Sequence, residues 1–300
     1  YISYAICGLP YHVGDVIKTR AALLLQTPEA MRAKFGVDVR VQNEVLSIDR
    51  EKKTVLVKRV DSGETYAESY DVLVVSTGSS PLKPPIPGID SSRVQTLWTV
   101  PDTDRIRALV REQGVKSAAV IKLKSGAVDT AELVILSIGV RPNGQLAKEA
   151  GLAVNARGGI VVNDHMLSSD PSIYAVGDVI EVEDFISKEH TMIPLAGPAN
   201  KQGRIAADNI AGLDASYSGT QGSSIAKVFD LTVASTGENE KTLVKRGLVK
   251  GKDFESIIIT QNNHASYYPG AVPMTLKLIF TKDGKKILGA QSVGRDGGVK

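Results

Sequence analysis

The chain has 300 residues, 42% of them hydrophobic, enough for a real core in one large domain or two to three small ones. Its 36 basic and 33 acidic residues leave a net charge of +3, with no Lys/Arg block and no basic–aromatic interleaving, which argues against nucleic acid as a partner. A lone cysteine excludes a disulfide-stapled secreted fold, and no apolar run reaches membrane-spanning length, so the expectation is a cytoplasmic protein that engages no membrane.

In chain order, Cys7 comes first, in the run Tyr1-Ile-Ser-Tyr-Ala-Ile-Cys-Gly-Leu-Pro-Tyr-His-Val-Gly14. One reading is a small buried hydrophobe. The other is a reactive thiol, favoured if a helix starts at Gly8-Leu-Pro and its N–H groups stabilise a thiolate. A reactive Cys7 must find its partner outside the chain, as a small thiol, a peroxide or another protein. His12 is either a base for Cys7 or a surface residue. The chain begins with Tyr, inside this motif, and a preceding segment is expected.

Alternating apolar residues at 37–41, 45–48 and 54–57 predict short antiparallel strands, and 70–75 predicts a buried strand ending at Ser76-Thr-Gly78. Residues 79–90, rich in Pro, Ser and Gly, mark a crossover, and 102–112 have helical spacing with Asp102 or Thr103 as the cap. An internal repeat follows: Asp71-Val-Leu-Val-Val-Ser-Thr-Gly-Ser-Ser-Pro81 aligns without gaps to Glu132-Leu-Val-Ile-Leu-Ser-Ile-Gly-Val-Arg-Pro142. Each copy is a buried strand stopping at a glycine where the backbone can turn or approach a ligand. Together they suggest two related nucleotide-type domains, or else generic strand–turn similarity.

Further on, 144–151 predicts a short helix, 159–162 a strand, 173–178 a buried strand ending in Gly177-Asp178, and 196–211 an amphipathic helix with Pro198 near its start. Asp178 suits a ribose or ribityl hydroxyl, or caps a helix. From about residue 222 the texture turns to strands, at 226–229, 231–234, 254–260, 274–280 and 287–293, with Asp283-Gly284 at a hairpin. The four histidines lack metal-ligand spacing, and no metal site is expected.

These segments together resemble the flavin-dependent pyridine nucleotide–disulfide oxidoreductases. Within them they resemble the single-cysteine branch of coenzyme A-disulfide reductases and NADH oxidases or peroxidases. The resemblance rests on Cys7-Gly-Leu-Pro-Tyr11, Ser76-Thr-Gly78, Gly139-Val-Arg-Pro-Asn143, the 173–178 strand, the 194–211 helix and His264-Ala-Ser-Tyr-Tyr-Pro-Gly270. It implies an α/β, FAD/NAD(P)-binding fold of two dinucleotide domains, incomplete here, followed by an α+β dimerisation domain. The implied boundaries are 1–100 and 144–215 for the FAD domain, 101–143 for a remnant of the NAD(P)H domain, and 220–300 for the dimerisation domain.

It further implies Cys7 as the redox nucleophile, Ser3 beside a thiol substrate, and FAD held by Val45, Ser76, Thr77, Gly78, Gly177, Asp178, Leu195 and Ala196. Tyr267 and Tyr268 would reach a partner's site in a homodimer, or simply cover a strand at a Pro-Gly turn. NAD(P)H would be the electron donor. The acceptor would be a coenzyme A-type disulfide, with a Cys7 sulfenic acid and oxygen or peroxide as the alternative.

Three features depart from that pattern. Ile6 stands where the family has Asn. No Gly-x-Gly-x-x-Gly occurs, and after Ser117-Ala-Ala-Val120 only about 11 residues precede the closing strand, too few for a βαβ crossover. An internal loss of roughly 100 residues, one small domain, is therefore expected. The family also continues beyond Gly294-Arg-Asp-Gly-Gly-Val299. A non-catalytic remnant is thus the second reading.

Overall fold

A computed structural model describes residues 1–111 and 119–295 and divides the chain into two units. The first comprises Tyr1–Asp71, Thr77–Gly151 and Ala156–Gly158; the second comprises Val72–Ser76, Leu152–Asn155 and Gly159–Lys300.

In the first unit, the strand Ser3–Tyr4 pairs antiparallel with Leu24–Gln26, and a 3-10 turn at Ile6–Gly8 runs into helix α1, Leu9–Val13. Helix α2, Pro28–Phe35, is capped by Thr27, whose hydroxyl accepts from the Ala30 N–H at 3.2 Å. Residues 37–41, expected as a strand, are irregular: their alternation finds no neighbouring strand to pair with. The pairing strands are Asn43–Asp49, Thr54–Arg59 and Thr65–Ser69, a three-stranded antiparallel sheet with a bulge between Val45 and Ser47.

Helix α3, Val100–Arg111, starts two residues earlier than the expected 102–112. Thr99 and Asp102 close a reciprocal cap: the Asp102 carboxylate accepts from the Thr99 N–H at 2.7 Å, and the Thr99 hydroxyl accepts from the Asp102 N–H at 3.3 Å. Asp102 therefore acts from the third helical position. Val100, Thr103 and Ile106 form the buried stripe of α3. Glu112, Ser117 and Ala118 lie outside the described residues. Ala119–Lys122 and Val128–Ala131 then form an antiparallel hairpin, and Val134–Leu136 pairs parallel with Val94–Thr96.

The repeat has a structural counterpart. Its two copies end in the strands Ser79–Pro81 and Val140–Pro142, which pair with each other antiparallel. Each is preceded by a glycine in a left-handed conformation, Gly78 at φ 67° and Gly139 at φ 109°. Helix α4, Gln145–Glu149, follows the second copy.

In the second unit, Leu73–Val75 pairs parallel with Ile173–Ala175, shorter than the predicted six-residue strand; Val75, Ile173 and Ala175 are buried. Residues 159–162, expected as a strand, make only isolated bridges, Ile160 to Val154 and to Ile180. Helix α5, Ala196–Ile210, matches its prediction and buries Gln202 and Ala206. Ser224–Val228, Leu231–Gly237, Phe254–Asn262, Pro273–Thr281 and Ile287–Arg295 form one antiparallel sheet. Helix α6, Glu240–Lys245, lays Leu243 on that sheet against Phe254 and Ile279. Residues 296–300, including part of the expected continuation after Gly294, lie outside the described residues.

Candidate functional site

Cys7 occupies the Ile6–Gly8 turn because its neighbours are pinned beneath it. Leu9, Leu23 and Val100 are fully buried together, with Tyr4, Ala5, Ile17, Leu24 and Leu97 packed around them. Each buried aliphatic side chain contributes about 2 kcal/mol. Ala5 N–H donates to the Leu23 carbonyl and Gly8 N–H to the Ala5 carbonyl, both at 2.8 Å. A Cβ on Gly8 would lie 3.1 Å from the Ala5 and Ile17 side chains, so only glycine fits without displacing them. With the backbone fixed on both sides, Cys7 is left exposed. The buried-hydrophobe reading is therefore corrected.

His12 also departs from expectation. It is 4% exposed, and its Nδ1 lies 2.7 Å from the Ile17 carbonyl, so it is a buried, hydrogen-bonded residue and not a surface one. The helix after Cys7 has only five residues. Its end is held from α3 by Arg107, which donates to the His12 carbonyl and, at 2.8 Å, to Asp15. This ion pair holds the Asp15 carboxyl below the usual range. Arg20 Nε donates to both carboxylate oxygens of Asp104 on α3, at 2.9 and 3.0 Å, and its Nη2 donates to one of them at 2.9 Å. Ser3 sits on the strand leading into the Cys7 turn.

Thr77 and Gly78 are joined to the second repeat copy by Asn143. The Thr77 hydroxyl donates to the Asn143 carbonyl at 2.8 Å, the Asn143 amide donates to the Thr77 carbonyl at 2.9 Å, and the Ser80 hydroxyl donates to the Asn143 side-chain oxygen at 2.8 Å. The Asn143 N–H also donates to the Gly78 carbonyl at 2.9 Å. Asn143 closes the Gly139–Asn143 motif, and nothing in the sequence alone points to this bridging role. Gly144 follows at a close approach: a Cβ there would sit 1.9 Å from the Gly158 carbonyl oxygen. Val45 lies at the bulge of the three-stranded sheet, half-exposed.

In the second unit, Ile173–Ala175 delivers Gly177-Asp178 into a 3-10 turn, Gly177–Val179. That turn packs on α5: the Gln202 side-chain oxygen accepts from the Gly177 N–H at 2.8 Å, and Gln202 is 1% exposed. Gln202 was missed; its signal was a polar side chain on the buried stripe of α5, in step with Ala199 and Ala206. Leu195 is extended at the N-terminus of α5, Ala196 is its first residue, and the first turn carries no acidic side chain. Its N-terminal N–H groups favour negative charge. Ser76, exposed, ends the Leu73–Val75 strand. Tyr267 and Tyr268 lie between the strands Phe254–Asn262 and Pro273–Thr281. Tyr267 is 89% exposed, and Tyr268 meets His264 edge to face at 5.4 Å.

A family model for pyridine nucleotide-disulphide oxidoreductases matches residues 3–121 and 108–203, and that family's dimerisation domain matches 223–299. An NADH oxidase of Methanocaldococcus jannaschii is 30% identical over 366 residues, covering 98% of this chain and 80% of its own length. A coenzyme A disulfide reductase of Staphylococcus aureus is 28% identical over 366 residues, covering 100% of this chain and 82% of its own. The crystal structure of reduced Bacillus anthracis CoADR-RHD superposes with a TM-score of 0.92 at 43% identity, covering 99% of this chain; the chain spans 65% of that structure's length.

Proposed function

The chain belongs to the pyridine nucleotide-disulphide oxidoreductases, flavin-dependent enzymes that use FAD and NAD(P)H, and on that premise we propose that it reduces a small disulfide of the coenzyme A type through Cys7. The observation that carries this reading is the exposure of the sole cysteine on a turn whose flanking residues are locked into a core. The Cys7 thiolate attacks one sulfur of the disulfide, forms a mixed disulfide and releases the other half as a thiolate. With no second cysteine, the mixed disulfide cannot be resolved within the chain. FAD, when bound, would be the source of the two electrons needed to cleave it. Ser3 is proposed to line the thiol site.

The groups that would hold FAD are Asp178 and Gly177, the backbone N–H groups at Leu195 and Ala196, and Ser76, Thr77, Gly78 and Val45. The acid-free first turn of α5 supports that fit. We assign 1–100 and 144–215 to FAD binding, 101–143 to what remains of the NAD(P)H domain, and 220–300 to dimerisation. A homodimer through the C-terminal sheet, with Tyr267 and Tyr268 facing the partner, accounts for their exposure and for that of Ile257 and Ile258. No described helix is long and apolar enough to cross a membrane, and we place the protein in the cytoplasm.

The second reading, an NADH oxidase or peroxidase working through a Cys7 sulfenic acid, is favoured by the likeness to the Methanocaldococcus jannaschii NADH oxidase. Absorbance of the purified chain tests the flavin reading common to both. One flavin per chain is expected; a colourless, folded chain after reconstitution with FAD would leave the non-catalytic remnant.

A further inference from the structure

Gln202 is a polar side chain where an inward-facing helix position would ordinarily carry an apolar one. It shares the buried stripe of α5 with Ala206. Burying a long amide there costs solvation and rotamer freedom, and a specific partner is needed to offset both. That partner is the Gly177 N–H, 25 positions away in sequence, which donates to the Gln202 side-chain oxygen at 2.8 Å. The neighbouring backbone groups are satisfied differently. Val176 N–H donates to the Val75 carbonyl at 3.1 Å, on the strand that runs parallel to Ile173–Ala175. Ile180 N–H turns back to the Gly177 carbonyl at 3.2 Å. The turn Gly177–Val179 has no side-chain cap at its own N-terminus. Its first N–H is therefore held from outside, by α5.

The bond decides where this turn stops on the helix. Val176, Val179 and Ile180 are buried around it, but apolar contact is non-directional and tolerates sliding. A hydrogen bond has a preferred length and angle and does not. Ala199, one turn before Gln202, leaves room for the approach: a Cβ on Gly177 would lie 3.8 Å from the Ala199 Cβ. Ala199 N–H also donates to the Leu195 carbonyl at 3.2 Å, at the start of α5. The same short stretch of helix thus touches Gly177, the residue before Asp178, and Leu195, the residue before Ala196.

We propose that Gln202 is a positioning residue for the flavin: by holding the Gly177 N–H it keeps the Asp178 carboxylate in register with the N-terminal N–H groups of α5, so that one FAD meets both. The proposal rests on the reading that these groups hold FAD. Its test is a titration of the full chain, freed of flavin, with FAD, followed by flavin fluorescence and by visible circular dichroism. Gln202→Met keeps the length of the side chain and removes the acceptor; Gln202→Glu keeps an acceptor oxygen. Each variant is first shown to melt cooperatively, and Gln202→Asn, whose amide falls short of Gly177, replaces Gln202→Met should that variant not fold. Gln202→Met is expected to weaken FAD binding about tenfold, the effect of losing one buried hydrogen bond, with an altered dichroism band. Gln202→Glu should recover most of the affinity, and in an Asp178→Ala background the loss from Gln202→Met should shrink. Unchanged affinity in Gln202→Met, equal losses in Gln202→Met and Gln202→Glu, or the same loss with Asp178 removed would each overturn the proposal while leaving the flavin reading intact. A folded parent chain that binds no FAD would overturn both.

Discussion

Glu238 is the residue whose surroundings fit it least. It is 7% exposed; one carboxylate oxygen accepts from Arg246 at 3.2 Å, and the other is buried with no hydrogen-bond partner among the described residues. Burial pushes the Glu238 carboxyl up, Arg246 pulls it back, and Asp184 and Glu189 push it up again. Glu189 shares the Arg246 guanidinium, at 3.0 Å, which divides the compensating charge. A carboxyl raised in the folded state binds its proton more tightly there than in the unfolded chain. The proton's contribution to stability is complete below the ordinary value of 4.5 and is lost as pH rises through the raised value. Glu238→Gln should therefore gain stability over the parent as pH rises from about 5 to about 7, reaching about 1–2 kcal/mol, the cost of an unsatisfied buried group. Thermal melts at both pH values read this directly; a difference independent of pH would contradict it.

At the scale of elements, the two repeat copies are joined by the pairing of their end strands and, beside it, by Asn143. Asn143→Ala removes two side-chain hydrogen bonds, to the Thr77 carbonyl and from the Ser80 hydroxyl, and keeps the backbone ones. A loss of about 1–2 kcal/mol is expected, with weaker flavin retention because the Thr77–Gly78 loop loosens. Denaturant titration checks the first effect and flavin release the second; a variant as stable as the parent would contradict the role. The repeat itself was legible in sequence because both copies obey one local rule, a buried strand stopped by a glycine. Helix α5 and the C-terminal strands were legible through apolar periodicity. Residues 37–41 were misread because alternation records a tendency, while a strand also needs a partner edge. Residues 70–75 were overextended for the same reason: pairing with Ile173–Ala175 covers only Leu73–Val75. His12 was misread because a carbonyl from Ile17, five residues on, gave it a buried partner that spacing does not show. Gln202 was invisible because a polar side chain on a helix's inner face has meaning only once the Gly177 N–H is known to end there.

Across the whole molecule, the family, the α/β fold and the following dimerisation domain match the sequence expectation. The expected internal loss of roughly 100 residues compares with some 66 positions or more of the relatives that face no residue here, their alignment running over 366 residues while this chain supplies no more than 300. Two sets of groups carry the proposed function: an exposed thiol on a turn anchored by a buried core in the first unit, and, in the second, a strand end and helix N-terminus that we propose hold the flavin. On the proposed reading, the exposed Cys7 takes an external disulfide as its partner, and with no other cysteine in the chain a mixed disulfide is the product that accumulates. Intact mass of the purified chain after incubation with coenzyme A disulfide tests this most directly, with Cys7→Ser alongside. The account predicts one coenzyme A adduct per chain, removed by a reducing thiol and absent from the Cys7→Ser variant. A folded parent chain that gains no adduct, or that carries only added oxygen on Cys7, would contradict it.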